Sequence, residues 1–130
     1  MGSTDSKNSP TVLIVDDHDD NLLLLNYIFE DLGYATIQGS SGKDAINLTA
    51  KHRPDLVLLD ILLPDMNGMT VIRHLRRIPG MQNTAIIAVT ALAGKLDRSK
   101  IIAAGFTEYL SKPYMIDELA AVVHRYLLPT

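Results

Sequence analysis

Two kinds of apolar segment alternate along this chain. Thr11–Val15, Asp55–Leu59 and Ala85–Val89 are short runs rich in Val, Ile and Leu, the pattern of strands buried on both faces. Tyr34–Gln38 and Glu108–Ser111 are weaker runs of the same kind. Longer segments with helical spacing lie between them. Asp19–Leu32 closes at Gly33, and Lys43–His52 follows Ser40-Ser41-Gly42. Met69–Ile78 precedes Pro79-Gly80, Lys95–Ala104 closes at Gly105, and Ile116–Leu127 stops before Pro129. Glycine just past a helix and proline shortly beyond it end helices for backbone reasons. Five strand–helix pairs with short connections predict a doubly wound α/β fold, a five-stranded parallel sheet with five helices on its two faces, because parallel strands need crossovers. In the first helix, a turn of ~100° per residue gathers Asn21, Leu24, Leu25, Ile28 and Leu32 into one stripe, assigned to the sheet-facing side. Leu22 and Leu23 fall off that stripe.

In such a sheet, ligands bind beyond the carboxyl ends of the strands. The residues just after each apolar run are Asp16 and Asp17, then Asp60, then Thr90 and Ala91, then Lys112 and Pro113. Three carboxylates, a hydroxyl and an ammonium thus converge on one edge from four strands. The stretch "VLIVDDHDD" at residues 12–20 runs a buried segment into four carboxylates within five positions, which calls for a compensating cation. All-oxygen donors favour a hard ion such as Mg²⁺, held by Asp17 and Asp60. Phosphoryl transfer needs little beyond such positioning and charge neutralisation, with Asp60 as the nucleophile and Lys112 and Thr90 on the phosphoryl oxygens. Asp19 and Asp20 are read as capping and first-turn residues, and Asn67-Gly68 as a turn. The four histidines, His18, His52, His74 and His124, lie on different segments and are read as surface residues.

Composition narrows the field. The chain has 130 residues, enough for one domain. Its net charge of −3 gives no basic footprint for direct nucleic-acid binding. With no cysteine there is no disulfide framework, zinc ribbon or thiol chemistry to weigh. No apolar run approaches the ~20 residues that span a bilayer, and Met1 to Pro10 is polar, without the hydrophobic stretch of a signal peptide. Residues 1–10 are therefore expected to be a disordered tail, and the protein cytoplasmic.

"VLIVDD", "DLVLLDILLPDMNG", "AIIAVTA" and "YLSKP", in this order and spacing, resemble the receiver domain of two-component response regulators, of the single-domain chemotaxis- and cell-cycle-regulator type. The resemblance covers about residues 11–128, making 11–130 one receiver domain. It implies a flavodoxin-like fold with strand order 2-1-3-4-5, and Asp60 as phosphoacceptor. It further implies Asp17 and the backbone carbonyl of Leu62 as direct Mg²⁺ ligands, Asp16 as a ligand through water, and Thr90 and Lys112 on the phosphoryl group. Tyr109 matches the family's aromatic switch, and Lys112-Pro113 the position of a cis peptide bond. Leu62 and Leu92 match positions that flank the path of a hydrolysing water; neither hydrogen-bonds, which implies slow loss of the phosphoryl group. The implied partners are a histidine kinase or phosphotransfer protein, docked on the first helix through Leu22 and Leu23, and a downstream protein on the face of the fourth helix, fifth strand and fifth helix. The expected state is a monomer or weak dimer, without nucleic-acid or membrane contact, acting through proteins alone or as the receiver of a hybrid kinase.

Two rival classes fit less well. A haloacid-dehalogenase-type phosphatase also uses a parallel sheet, Mg²⁺ and an aspartyl phosphate, but its nucleophile follows the first strand in a D-x-D pattern, whereas Asp16 here is followed by Asp17 and His18. A flavodoxin-like cofactor binder needs a Ser/Thr/Gly-rich loop there, and "DDHDD" would repel the cofactor's phosphate.

Overall fold

The computed structural model describes residues 9–91 and 97–127. Expectations that rest on residues 1–8, Leu92, Lys95 or Pro129 lie outside the described residues. The elements follow in strict alternation: β1 (Thr11–Val15), α1 (Asp19–Asp31), β2 (Ala35–Gly39), α2 (Gly42–His52), β3 (Leu56–Asp60), α3 (Gly68–Arg77), β4 (Ala85–Thr90), α4 (Arg98–Ala104), β5 (Glu108–Ser111) and α5 (Ile116–Leu127). All strand pairs are parallel, in the order β2-β1-β3-β4-β5. The doubly wound sheet and its strand order are those expected from the sequence.

Because side chains alternate across a strand, the sheet divides the core in two. Val12, Ile14, Leu58 and Ile87 face α1 and α5, packing with Leu25, Phe29, Leu119 and Val123. Leu13, Val15, Val57, Leu59, Ile86 and Ala88 form the other cluster with Ala45, Val71, Ile72, Leu75 and Ile101 of α2, α3 and α4. The three central strands are buried along nearly their whole length, which is why their sequences read as unbroken apolar runs. β2 lies at the sheet edge and is mostly half-buried or exposed, which explains its weaker signal.

The stripe on α1 is a correction. Leu22, Leu25 and Phe29 are the buried residues of this helix, and Leu24 is exposed. Leu22 is only 7% exposed whereas Leu23 is 70% exposed. The run of four leucines fits several helical phases equally well. Phe29, fully buried four residues after Leu25 and seven after Leu22, sets the phase that is adopted. Leu22 therefore belongs to the core and not to a docking face. His124 is a second correction: it is half-buried, and its Nδ1 lies 2.6 Å from the Tyr34 hydroxyl. His18, His52 and His74 are exposed as expected.

Smaller shifts have local causes. Strand β3 runs one residue further than the apolar run, so that Asp60 sits within the sheet opposite Val89. Asp55 instead turns out of the strand to accept from Thr11 N–H at 2.8 Å. Helix α3 begins at Gly68, with Asn67 as its cap accepting from Met69 N–H at 2.7 Å.

Candidate functional site

The carboxyl edge of the sheet is an open cleft lined by Asp17, His18, Asp19, Asp20, Asn21, Asp60, Leu62, Ala91 and Lys112. Two acids at this edge are buried: Asp16 just past β1 and Asp60 as the last residue of β3. Lys112, just past β5, reaches between them. Its Nζ donates to Asp16 Oδ2 at 3.1 Å and to Asp60 Oδ2 at 3.0 Å. One ammonium thus joins carboxylates that lie 52 and 96 positions before it in the chain. The Lys112-Pro113 peptide is cis, as the resemblance implies, and Lys112 N–H donates to the Thr90 carbonyl at 2.9 Å, fixing the end of β5 to the end of β4.

The remaining oxygens are held from the local chain. Asp60 Oδ1 accepts from Leu62 N–H at 2.9 Å, so the carboxylate is oriented by the loop that follows it. That loop is pinned where it rejoins α3. Gly68 N–H donates to the Ile61 carbonyl at 2.8 Å, and Leu62 bridges to Asn67. A Cβ on Gly68 would stand 2.7 Å from Ile61 Cα, closer than real contacts allow, so only glycine permits this approach. Asp16 Oδ1 accepts from His18 N–H at 2.9 Å, and Asn21 Nδ2 reaches Asp16 Oδ2 at 3.3 Å.

Electrostatics follow from these contacts. Burial pushes the Asp60 carboxyl up, the Asp16 charge adds to this, and the bonds from Leu62 N–H and Lys112 offset it only in part; its pKa lies above the ordinary value. Asp16 is also raised by burial, but the His18 N–H and Lys112 outweigh that and hold it below its ordinary value. Burial would lower Lys112, yet its two carboxylate partners win and raise it. The ammonium therefore stays charged between two acids. With Asp17 partly exposed at the rim, three carboxylates face one ammonium, leaving an excess of negative charge that suits a cation. Oxygen donors from Asp16, Asp17 and Asp60 fit a hard divalent ion.

The structure thus brings together Asp16, Asp17, Asp60 and Lys112, places fully buried Thr90 at the end of β4, and puts the Leu62 side chain, 49% exposed, in the cleft wall. Tyr109 lies on β5 opposite Ala88, half-buried, with the Arg98 guanidinium 5.7 Å from its ring centre. Leu22 is not part of the site. Three contributors escaped the sequence reading: the backbone N–H of His18 and the Asn21 side chain, which hold Asp16, and Asp65. The Asp65 carboxylate accepts from Gly42 N–H at 2.7 Å and Lys43 N–H at 3.0 Å, capping α2 from the loop after Asp60. Ser41 caps the same helix, accepting from Asp44 N–H at 3.0 Å, but nothing local to Asp65 pointed to its part.

Known proteins share this family and fold. Residues 12–124 match the family described as the response regulator receiver domain. The polar-differentiation response regulator DivK of Brucella anthropi is 37% identical over 117 residues, which span 90% of this chain and 95% of that protein. The receiver domain of the sensor histidine kinase PA1611 from Pseudomonas aeruginosa, with a magnesium ion coordinated in its active-site cleft, superposes with a TM-score of 0.84 at 29% identity, over 92% of this chain and 98% of that one. The chemotaxis response regulator CheY4 of Vibrio cholerae has the same fold, with a TM-score of 0.85 at 24% identity over 91% of this chain and 98% of that one.

Proposed function

Because this chain belongs to the response regulator receiver family of two-component signalling, we propose that Asp60 is its phosphoacceptor. The observation that carries this reading is the Lys112 ammonium 3.0 Å from a buried Asp60 carboxylate at the open carboxyl edge of the sheet. Asp60 attacks the phosphorus of a phosphohistidine. The P–N bond breaks as the P–O bond forms, and the histidine nitrogen keeps the electron pair and takes up a proton. Lys112 and Thr90 receive the phosphoryl oxygens. Asp17, Asp60 and the Leu62 carbonyl would hold Mg²⁺, with Asp16 acting through water; the bound ion would supply neutralisation of the phosphoryl charge.

The donor is a histidine kinase or a histidine phosphotransfer protein. Leu23 stands on the outer side of α1 with exposed Leu24 and Tyr27 beside it, and this apolar face is the proposed docking surface, with Leu22 removed from it. The downstream protein binds the α4–β5–α5 face, where Tyr109 turns inward as Thr90 moves toward the phosphoryl group.

Incubation with acetyl phosphate and Mg²⁺ should add one phosphoryl group to the intact protein by mass. Asp60→Asn or excess chelator should abolish it. Equal labelling of the Asn variant removes Asp60 from the role.

A further inference from the structure

His18 occupies the N-cap position of α1 without capping it. Its side chain makes no bond to the helix, and the ring turns back toward the acidic pair. The Nδ1 atom lies 3.2 Å from Asp16 Oδ1 and 3.1 Å from Asp17 Oδ1, with the side chain 67% exposed to the cleft and solvent. Among the described residues, Asp16, Asp17 and His18 are the group of three His and carboxylate donors whose ligand atoms all lie within 4.8 Å of one another. Neighbouring ligands of an octahedral ion with bonds of about 2.1 Å stand about 3 Å apart, which matches the 3.1 Å between the imidazole nitrogen and Asp17 Oδ1, the member of the acidic pair read as a direct ligand. The PA1611 receiver, similar in fold, holds a magnesium ion in its active-site cleft.

We propose that His18 adds a nitrogen donor to the ion site, so that the cleft binds borderline divalent ions such as Ni²⁺ and Zn²⁺ more tightly than its carboxylates alone would. Imidazole suits these ions, whereas Mg²⁺ takes oxygen donors and gives up its waters reluctantly. His18 thus sets metal selectivity and leaves Mg²⁺ affinity unchanged. The inference rests on the reading of this cleft as the Mg²⁺ site.

The same contacts also describe a simple ion pair between an imidazolium and two carboxylates, and the two accounts separate cleanly. Removing a competing imidazolium strengthens the binding of every divalent ion, Mg²⁺ included. Removing a ligand weakens only the ions that use it.

Isothermal titration calorimetry on the untagged chain, wild type and His18→Ala, with Ni²⁺ and with Mg²⁺, makes the comparison. Far-UV circular dichroism confirms that both proteins are folded. The variant should lose Ni²⁺ affinity by about tenfold or more, the size of effect expected when a metal site loses a supporting group. Its Mg²⁺ affinity should stay within about twofold, and excess Mg²⁺ should displace Ni²⁺ from the wild type. Equal Ni²⁺ affinity in the two proteins, tighter Mg²⁺ binding by the variant, or Ni²⁺ that Mg²⁺ does not displace would each overturn the role of His18. A wild-type chain that binds no Mg²⁺ would instead bring down the reading of the cleft on which the role depends.

Discussion

Asp16 and Asp60 share one ammonium, yet their carboxyls are displaced in opposite directions. Asp16, held below its ordinary value, contributes stability that is present above its unfolded pKa and lost as pH falls through the lower folded one. Asp60 is raised, so its ionised form costs stability at neutral pH, and that cost disappears as pH falls through the raised value. In metal-free buffer Asp60→Asn should therefore melt above the wild type at pH 7, with the gap closing toward the acid range, while Asp16→Asn melts below it. Thermal melts across pH check both signs, and an Asp60→Asn protein that melts lower at pH 7 contradicts the assignment. Leu62 carries a separate expectation. Its half-exposed side chain in the cleft wall cannot hydrogen-bond a water aligned with the Asp60–phosphorus bond. Leu62→Asn should speed loss of the phosphoryl group, followed as the fraction of phosphorylated protein over time; an unchanged rate removes Leu62 from control of the lifetime. Asp16, Asp17, Asp60, Thr90 and Lys112 were legible in the sequence because each falls where an apolar run ends. Leu22 was misplaced because four successive leucines carry no phase of their own. His18 and Asn21 were missed because their contacts depend on how one turn folds.

Among the elements, the loop from Asp60 to α3 does most to shape the site, and Gly68 closes it. An added methyl group at Gly68 meets the Ile61 backbone, which cannot move aside as a flexible side chain would. Gly68→Ala should destabilise the fold by about 2 kcal/mol, in the range of overpacking effects, and should also slow small-donor phosphorylation by shifting Leu62 N–H away from Asp60. Denaturant unfolding and initial phosphorylation rates measure the two effects. A variant with wild-type stability and rate shows that the loop accommodates the methyl group. The element ends were legible where a backbone rule writes them. β1, β5 and α5 have the bounds read from the sequence, and Gly33 and Gly105, both at positive φ, stand just past α1 and α4. Other links leave no local trace. Arg76, at the end of α3, donates to the carbonyls of Gly105, Met81 and Thr84 from a half-buried position, tying α3 to the segments that lead into β4 and β5. Its sequence context is that of any basic residue in a last helical turn.

The molecule as a whole follows from a sheet buried on both faces. Apolar runs without alternation announced the three central strands, and the parallel order then required every crossover to carry a helix. That order puts the ends of β1, β3, β4 and β5 side by side, so the site and the α4–β5–α5 surface share β5, which pairs with β4. Phosphorylation should accordingly perturb amide shifts beyond the cleft, along β5 and into α4 and α5, as Tyr109 moves from its place near Arg98. Shifts confined to the cleft loops would sever the proposed coupling. The account depends above all on where the phosphoryl group sits. Borohydride reduction of the protein after treatment with acetyl phosphate and Mg²⁺ converts an aspartyl phosphate to homoserine, and peptide mass mapping then locates it. Homoserine at position 60 alone is the result predicted here; homoserine at position 16 or 17, or none at 60 in a protein that carries the phosphoryl group, would contradict it.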